Sequence, residues 1–150
     1  MRHRLQSSKL GRSPEHRKAT ITSLVCALIE RKRIETTHAK AKQARSAAEK
    51  LVTIGREELL AVSQNNKDKA IFARRKAITA LRHPKFAAML VKDVVPQFNG
   101  RNGGYTRIIK LGKRKSDSSE MVLLEWVGIA PPERKKKKKV EEKPLQQQKS

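Results

Sequence analysis

The stretch RIETTHAKAKQARSAAEKLVTIG, residues 33–55, changes period part-way along, and that change decides the fold. Its first five residues alternate as a short strand does, whereas Ala41, Ala44, Ala48 and Leu51 recur at helical spacing. The pattern predicts a strand running directly into a helix, with Thr37 as the helix cap. Because the helical stripe is made largely of alanines it is slender, and it permits close packing against a sheet; Lys40, Lys42, Arg45 and Arg56 fall off it. Gly55 weakens a helix by about 1 kcal/mol relative to Ala, so the helix is expected to end or bend there.

Outward from this junction the chain is readable in both directions. Upstream, Ser13-Pro14 is a helix start, since Ser can cap free amides and Pro is pre-set for the first helical position. Ile21, Leu24, Val25, Leu28 and Ile29 then form one buried helical face, closed by the cations Arg31, Lys32 and Arg33. Residues 1–12 have no sustained apolar period and read as an extended basic arm. Downstream, SQNNK (63–67) is a turn-rich break before a helix over Asp68–Leu81, with Ile71, Ile78 and Leu81 as its apolar residues. Pro84 opens a shorter fourth helix with Phe86, Met89, Leu90 and Val94 on one side, ended by Pro96. After a loop over Gln97–Gly104, strands over Thr106–Leu111 and Met121–Val127 make a hairpin across the polar turn GKRKSDSS. The element order is α-β-α-α-α-β-β, an α+β fold in a single domain over residues 13–128. Residues 129–150, with a run of five lysines, bury too little apolar surface to offset the entropy of ordering and are expected to be a disordered tail.

The 150 residues carry 36 Lys and Arg against 14 Asp and Glu, a net charge of +22. The lysine-rich end does not account for it: removing residues 133–150 leaves 28 cations against 11 acids. A basic body of this kind repels itself until a polyanion neutralises it, and phosphate makes clustered Arg and Lys favourable through counterion release. A membrane-surface protein needs a basic amphipathic helix with bulky apolar anchors, yet Trp126 is the one Trp and aromatics make up 3% of the chain. Cys26 is alone, which excludes an intrachain disulfide and fits a reduced cytosol. His3, His16, His38 and His83 lie in separate segments without metal-ligand spacing, and no Walker-type loop or nucleophile elbow occurs. Gly103-Gly104 leads into a strand rather than a helix, the wrong order for a nucleotide phosphate loop. The composition therefore predicts no enzyme, no cofactor, no metal and no small-molecule substrate.

What remains are three basic clusters: the arm of residues 2–18, the cations flanking the Thr36-Thr37 junction, and the hairpin stretch RNGGYTRIIKLGKRK (101–115), which has six cations and no acid. Each alone is better read as a solvated face; three with almost no intervening acid reverse that and point to nucleic acid. No helix-turn-helix of suitable size is found and the aromatics are too few for a stacking sheet, which leaves recognition of shape and backbone in a folded RNA. A DNA-binding architectural or regulatory protein is the alternative. Gly103 and Gly104, lacking Cβ atoms, either let the backbone approach RNA or supply positive φ. Tyr105 would stack or hydrogen-bond beside them, and Arg107 and Lys110 reach phosphates.

MRHR, KLGR, HRKA, the central IETTHAKAKQARSAAEKLVTIG, RNGGYTRIIKLGKRKSD and MVLLEWV, in this order over residues 1–128, resemble bacterial-type ribosomal protein L17. The resemblance departs at Leu5 and Ser8, where family arms are more basic, and at ITSLV (21–25). It implies helices packed on a small mixed sheet and a cytoplasmic, structural component of the large ribosomal subunit. The implied partners are large-subunit ribosomal RNA and neighbouring large-subunit proteins near the tunnel exit. The RNA-contacting residues it implies are Arg2, His3, Arg4, Lys9, Arg12, His16 and Arg17 in the arm, Thr36, Thr37, Lys40 and Lys42 at the junction, and Arg101, Gly103, Gly104, Tyr105, Thr106 and Arg107 at the loop.

Overall fold

Ser13 starts the first helix as its sequence predicts: its hydroxyl accepts from the His16 amide and Pro14 takes the first helical position. The computed structural model describes residues 8–130 and 132. The arm is therefore seen only from Ser8, and the expected disordered tail lies outside the described residues except for Ile129, Ala130 and Pro132. Helix α1 (Pro14–Arg31) is followed by strand β1 (Arg33–Thr37), α2 (His38–Ser63), α3 (Lys67–Leu81), α4 (Pro84–Met89), β2 (Thr106–Lys113) and β3 (Glu120–Trp126). Lys32, between α1 and β1, turns the chain with a left-handed φ of 63° while its amide still bonds the Leu28 carbonyl. The junction at Thr37 falls where the period changes, but the Thr37 side chain makes no capping hydrogen bond.

The three strands lie in the order β1-β3-β2, and both ladders are antiparallel. This corrects the mixed sheet that the family resemblance implied: β1 and β2 run the same way, but β3 stands between them, so no parallel pair forms. Ile34, Val122, Leu124 and Trp126 point from the sheet into a core shared with the helices. There Val25, Leu28 and Ile29 of α1 meet the stripe Ala41, Ala44, Ala48, Leu51 and Val52 of α2. Each large apolar side chain buried in this way stabilises the fold by about 1.5–3 kcal/mol. Trp126, 1% exposed, also satisfies its indole N–H by donating to the Leu28 carbonyl at 3.0 Å. The other face of the sheet, carrying the exposed Ile109 and Leu111, has no helix over it among the described residues.

Three sequence expectations give way to packing. Gly55 does not end α2, which runs 26 residues through it. A Cβ there would stand 2.6 Å from Cγ2 of Val95, so the glycine serves close helix contact rather than termination. Pro96 does not end the fourth helical segment either. The turn before it widens to a π-helix over Leu90–Val94, and one 3-10 turn follows over Val95–Phe98. A regular α-helix would set the proline ring against the carbonyl four residues back; the wider turn relieves that contact, and Phe98 reaches the core. In α3 the core residues are Ala73, Ala77 and Leu81, while Ile71 is half exposed.

Candidate nucleic-acid interface

The glycine loop is held by a residue that sequence reasoning had left on a solvated face. Arg56, from the middle of α2, donates to the Arg101 carbonyl at 2.7 Å, the Asn102 side-chain oxygen at 3.2 Å and the Tyr105 hydroxyl at 2.9 Å. One guanidinium thus pins residues 101–105 to the helix. Gly103 has φ of 143° and Gly104 of 60°, and open space surrounds the Cβ position of both. Of the two reasons offered for these glycines, the structure displays positive φ.

Of the two roles expected of Tyr105, the structure displays the hydrogen bond and no exposed ring for a base to stack on. The residue is 4% exposed, its ring packs 5.1 Å from Phe98, and its hydroxyl faces Arg56. Tyr105 precedes β2 and so escapes the alternation that would set it beside Arg107 on the open face. Thr106 is likewise buried, and its hydroxyl donates to Glu49 at 3.0 Å, where Arg45 also bonds. Thr36 is buried within β1. These three side chains shape the surface from beneath, while the cations around them form it.

On the open face of the sheet, register puts Arg33, Glu125 and Arg107 in one row across β1, β3 and β2. Arg33 donates through Nε at 2.6 Å and Nη2 at 2.6 Å to one oxygen of Glu125; Arg107 donates through Nε at 2.7 Å and Nη2 at 2.5 Å to the other. Burial by itself would raise the Glu125 carboxyl, but the hydrogen bonds and charges of Arg107 and Arg33 outweigh it and hold the group below the usual glutamate value. The carboxylate is 4% exposed, whereas the arginine side chains are 43% and 58% exposed. Two guanidiniums are therefore fixed in orientation, and Nη1 of neither has a partner among the described residues. Arg33 had been read as a helix-closing cation and as the first residue of the RIETT strand, but not as an RNA-contacting residue. The signal for its role was the alternation of RIETT, but its partner lies 92 positions away.

The predicted residues do not gather in one place. Arg101, Gly103, Gly104, Arg107 and Arg33 share one end of the sheet. Thr37, Lys40 and Lys42 sit past the other end of β1, about 13 Å along the strand, where His38 approaches Glu120 at 3.7 Å. Lys9, Arg12, His16 and Arg17 lie at the start of α1, about 27 Å of helix from its sheet-facing end. Arg12 is half buried and donates to the Leu10 carbonyl at 2.7 Å. Lys110 is exposed on β2, and Lys9, Lys40, Lys42 and Lys110 have no acidic partner among the described residues. Arg2, His3 and Arg4 lie outside the described residues. Among those described, no group of three or more His, Cys, Asp or Glu could hold a metal ion.

The family model for ribosomal protein L17 matches residues 20–127. The chain belongs to the ribosomal protein L17 family. Among its curated L17 relatives, each named large ribosomal subunit protein bL17, that of Methylacidiphilum infernorum is 44% identical over 126 residues, covering 84% of this chain and 88% of the relative. Those of Fusobacterium nucleatum and Chloroflexus aurantiacus are 40% and 42% identical over 127 residues, covering 85% of this chain and all of each relative. The L17 match takes in the whole sheet, the Arg33–Glu125–Arg107 row and the glycine loop, whereas Lys9, Arg12, His16 and Arg17 precede it.

Proposed function

We propose that this chain is a structural constituent of the large ribosomal subunit, working in the cytoplasm and not as an enzyme, which binds and stabilises large-subunit ribosomal RNA. The observation that carries the reading is the arrangement of exposed and half-exposed cations at three separated places on one small α+β core. A folded RNA offers phosphates and 2′-hydroxyls on several sides at once, and so matches such a spread better than a straight duplex does. No observation favours the DNA-binding alternative.

In this reading Arg33 and Arg107, braced by Glu125, turn their free Nη1 donors toward RNA phosphates, since a planar guanidinium bridges phosphate oxygens well. Arg101 extends that contact along the loop, while Lys110, opposite Val122, reaches phosphate from the other face of β2. Lys40 and Lys42, with Thr37, make a second contact, and Lys9, Arg12, His16 and Arg17, continued by Arg2, His3 and Arg4, make a third. Gly103 and Gly104 supply the loop's shape, while Thr36, Tyr105 and Thr106 act by positioning it. Other large-subunit proteins near the tunnel exit are its protein neighbours.

Sedimentation of a cell lysate in moderate salt tests the reading. The chain is expected to travel with large subunits and to leave them only in high salt; travel with nucleoid DNA, or at the top of the gradient, would reject it.

A further inference from the structure

Residues 69–92 hold seven cations and no acid, the same one-sidedness as the hairpin stretch, yet none of these cations belongs to the three clusters described above. Arg74 is taken up by the buried Glu58 of α2, to which it donates at 2.8 Å. Lys69, Arg75 and Lys76 are exposed and make no ion pair among the described residues. With 3.6 residues per turn, these three share the outward side of α3 with Phe72, one turn before it and one turn after, while the buried Ala77 and Leu81 take the inward side.

Phe72 stands at the centre of that side. It is 68% exposed, more than any other large apolar side chain among the described residues. The other aromatic rings are withdrawn: Phe98, Tyr105 and Trp126 are buried and Phe86 is half-buried. Two acids come near, Glu57 across a shallow groove that Leu60, Lys69 and Phe72 also line, and Asp68 one turn earlier on α3. The face therefore has three cations against two acids, and from Phe72 to the helix cap at Arg82 it has cations only.

An exposed flat ring bordered by cations matches a nucleotide, which offers a π face to the ring and a phosphate to the cations. A protein crevice would accept the ring, but it would also have to supply acids to Arg75 and Lys76. A base within a helix is covered on both faces by its neighbours, so the ring requires one that is splayed out. We infer that the outward side of α3 is a fourth RNA contact, in which Phe72 stacks on an unpaired base of large-subunit RNA while Lys69, Arg75 and Lys76 hold the adjoining phosphates. The inference deepens the functional reading above and rests on it.

Equilibrium binding of the purified full chain to large-subunit ribosomal RNA tests it. Phe72→Leu keeps apolar bulk without a flat ring; it is expected to bind about tenfold more weakly, with an unchanged log–log salt slope. Phe72→Trp should restore affinity to within about twofold. Lys69→Gln combined with Lys76→Gln should make the salt slope shallower by about 1 to 2. Val62→Ser, on the opposite flank of the α2–α3 hairpin, should bind as the unaltered chain does. Full affinity in Phe72→Leu, an equal loss in Val62→Ser, or an unchanged slope in the lysine double variant would overturn the inference alone. Failure of the unaltered chain to bind would overturn the functional reading and this inference with it. In assembled large subunits, a photo-crosslinking benzoylphenylalanine in place of Phe72 is expected to join ribosomal RNA; crosslinks to protein only, or none, would reject the RNA contact and leave the functional reading standing.

Discussion

Glu125 shows how a single acid organises a basic surface. With both oxygens occupied by arginines, it keeps two like charges in one row of the sheet without mutual repulsion deciding their positions. Glu125→Gln is expected to destabilise the fold by about 1–3 kcal/mol, read from urea melts at neutral pH. The pH dependence follows from the direction of its shift. Because the folded carboxyl is held below the usual glutamate value, its ionisation stabilises the fold at neutral pH, and that contribution drains away as pH falls through the folded value. Stability should therefore drop more steeply below about pH 4 in the unaltered chain than in Glu125→Gln; parallel curves would show that the bracketing arginines do not matter. Arg56 is the matching case at the loop. Arg56→Ala and Arg56→Lys should both weaken RNA binding, because the shorter lysine cannot bring a donor to where Nη1 meets the Arg101 carbonyl, Asn102 and Tyr105, nor supply the second nitrogen that also bonds Asn102. Lysine restoring full affinity would mean that charge, and not the hold on the loop, is what Arg56 supplies.

At the scale of elements, helical and strand periods were legible wherever one face is buried. The junction at Thr37, the stripe from Ala41 to Leu51 and the face from Val25 to Ile29 all lie where their spacing puts them. What escaped reading depends on neighbours distant in sequence. Gly55 signals helix weakness locally, yet its environment is Val95 and Val91 from another segment. Gly55→Ala would improve helix propensity by about 1 kcal/mol, but overpacking against a stiff β-branched side chain costs about 1–3 kcal/mol. A net loss of up to about 2 kcal/mol is expected in thermal melts; a more stable variant would show that the contact yields freely. The pairing of Arg33 with Glu125 and the burial of Tyr105 were hidden for the same reason, since strand register and the packing partner Phe98 are tertiary facts. In α3 the local pattern favoured Ile71 over Ala73 and Ala77, because hydrophobicity outranks size until the closeness of α2 is known.

For the whole molecule, the fold separates two kinds of surface. Exposed and half-exposed cations occupy the start of α1, the β1–α2 junction and the loop end of the sheet, while the α2–α3 tip is apolar and nearly neutral. Small size leaves little core, and a charge of +22 opposes compaction, so binding a polyanion is expected to stabilise the folded chain. Its melting temperature should rise on adding large-subunit RNA at low salt and return toward the free value at high salt. The most direct measurement is equilibrium binding of the purified chain to large-subunit ribosomal RNA and to duplex DNA of equal length across a range of salt. The account predicts tighter binding to the RNA, with a log–log salt slope of about −4 or steeper, reflecting several phosphates engaged together. A shallow slope, or equal affinity for the DNA, would contradict it.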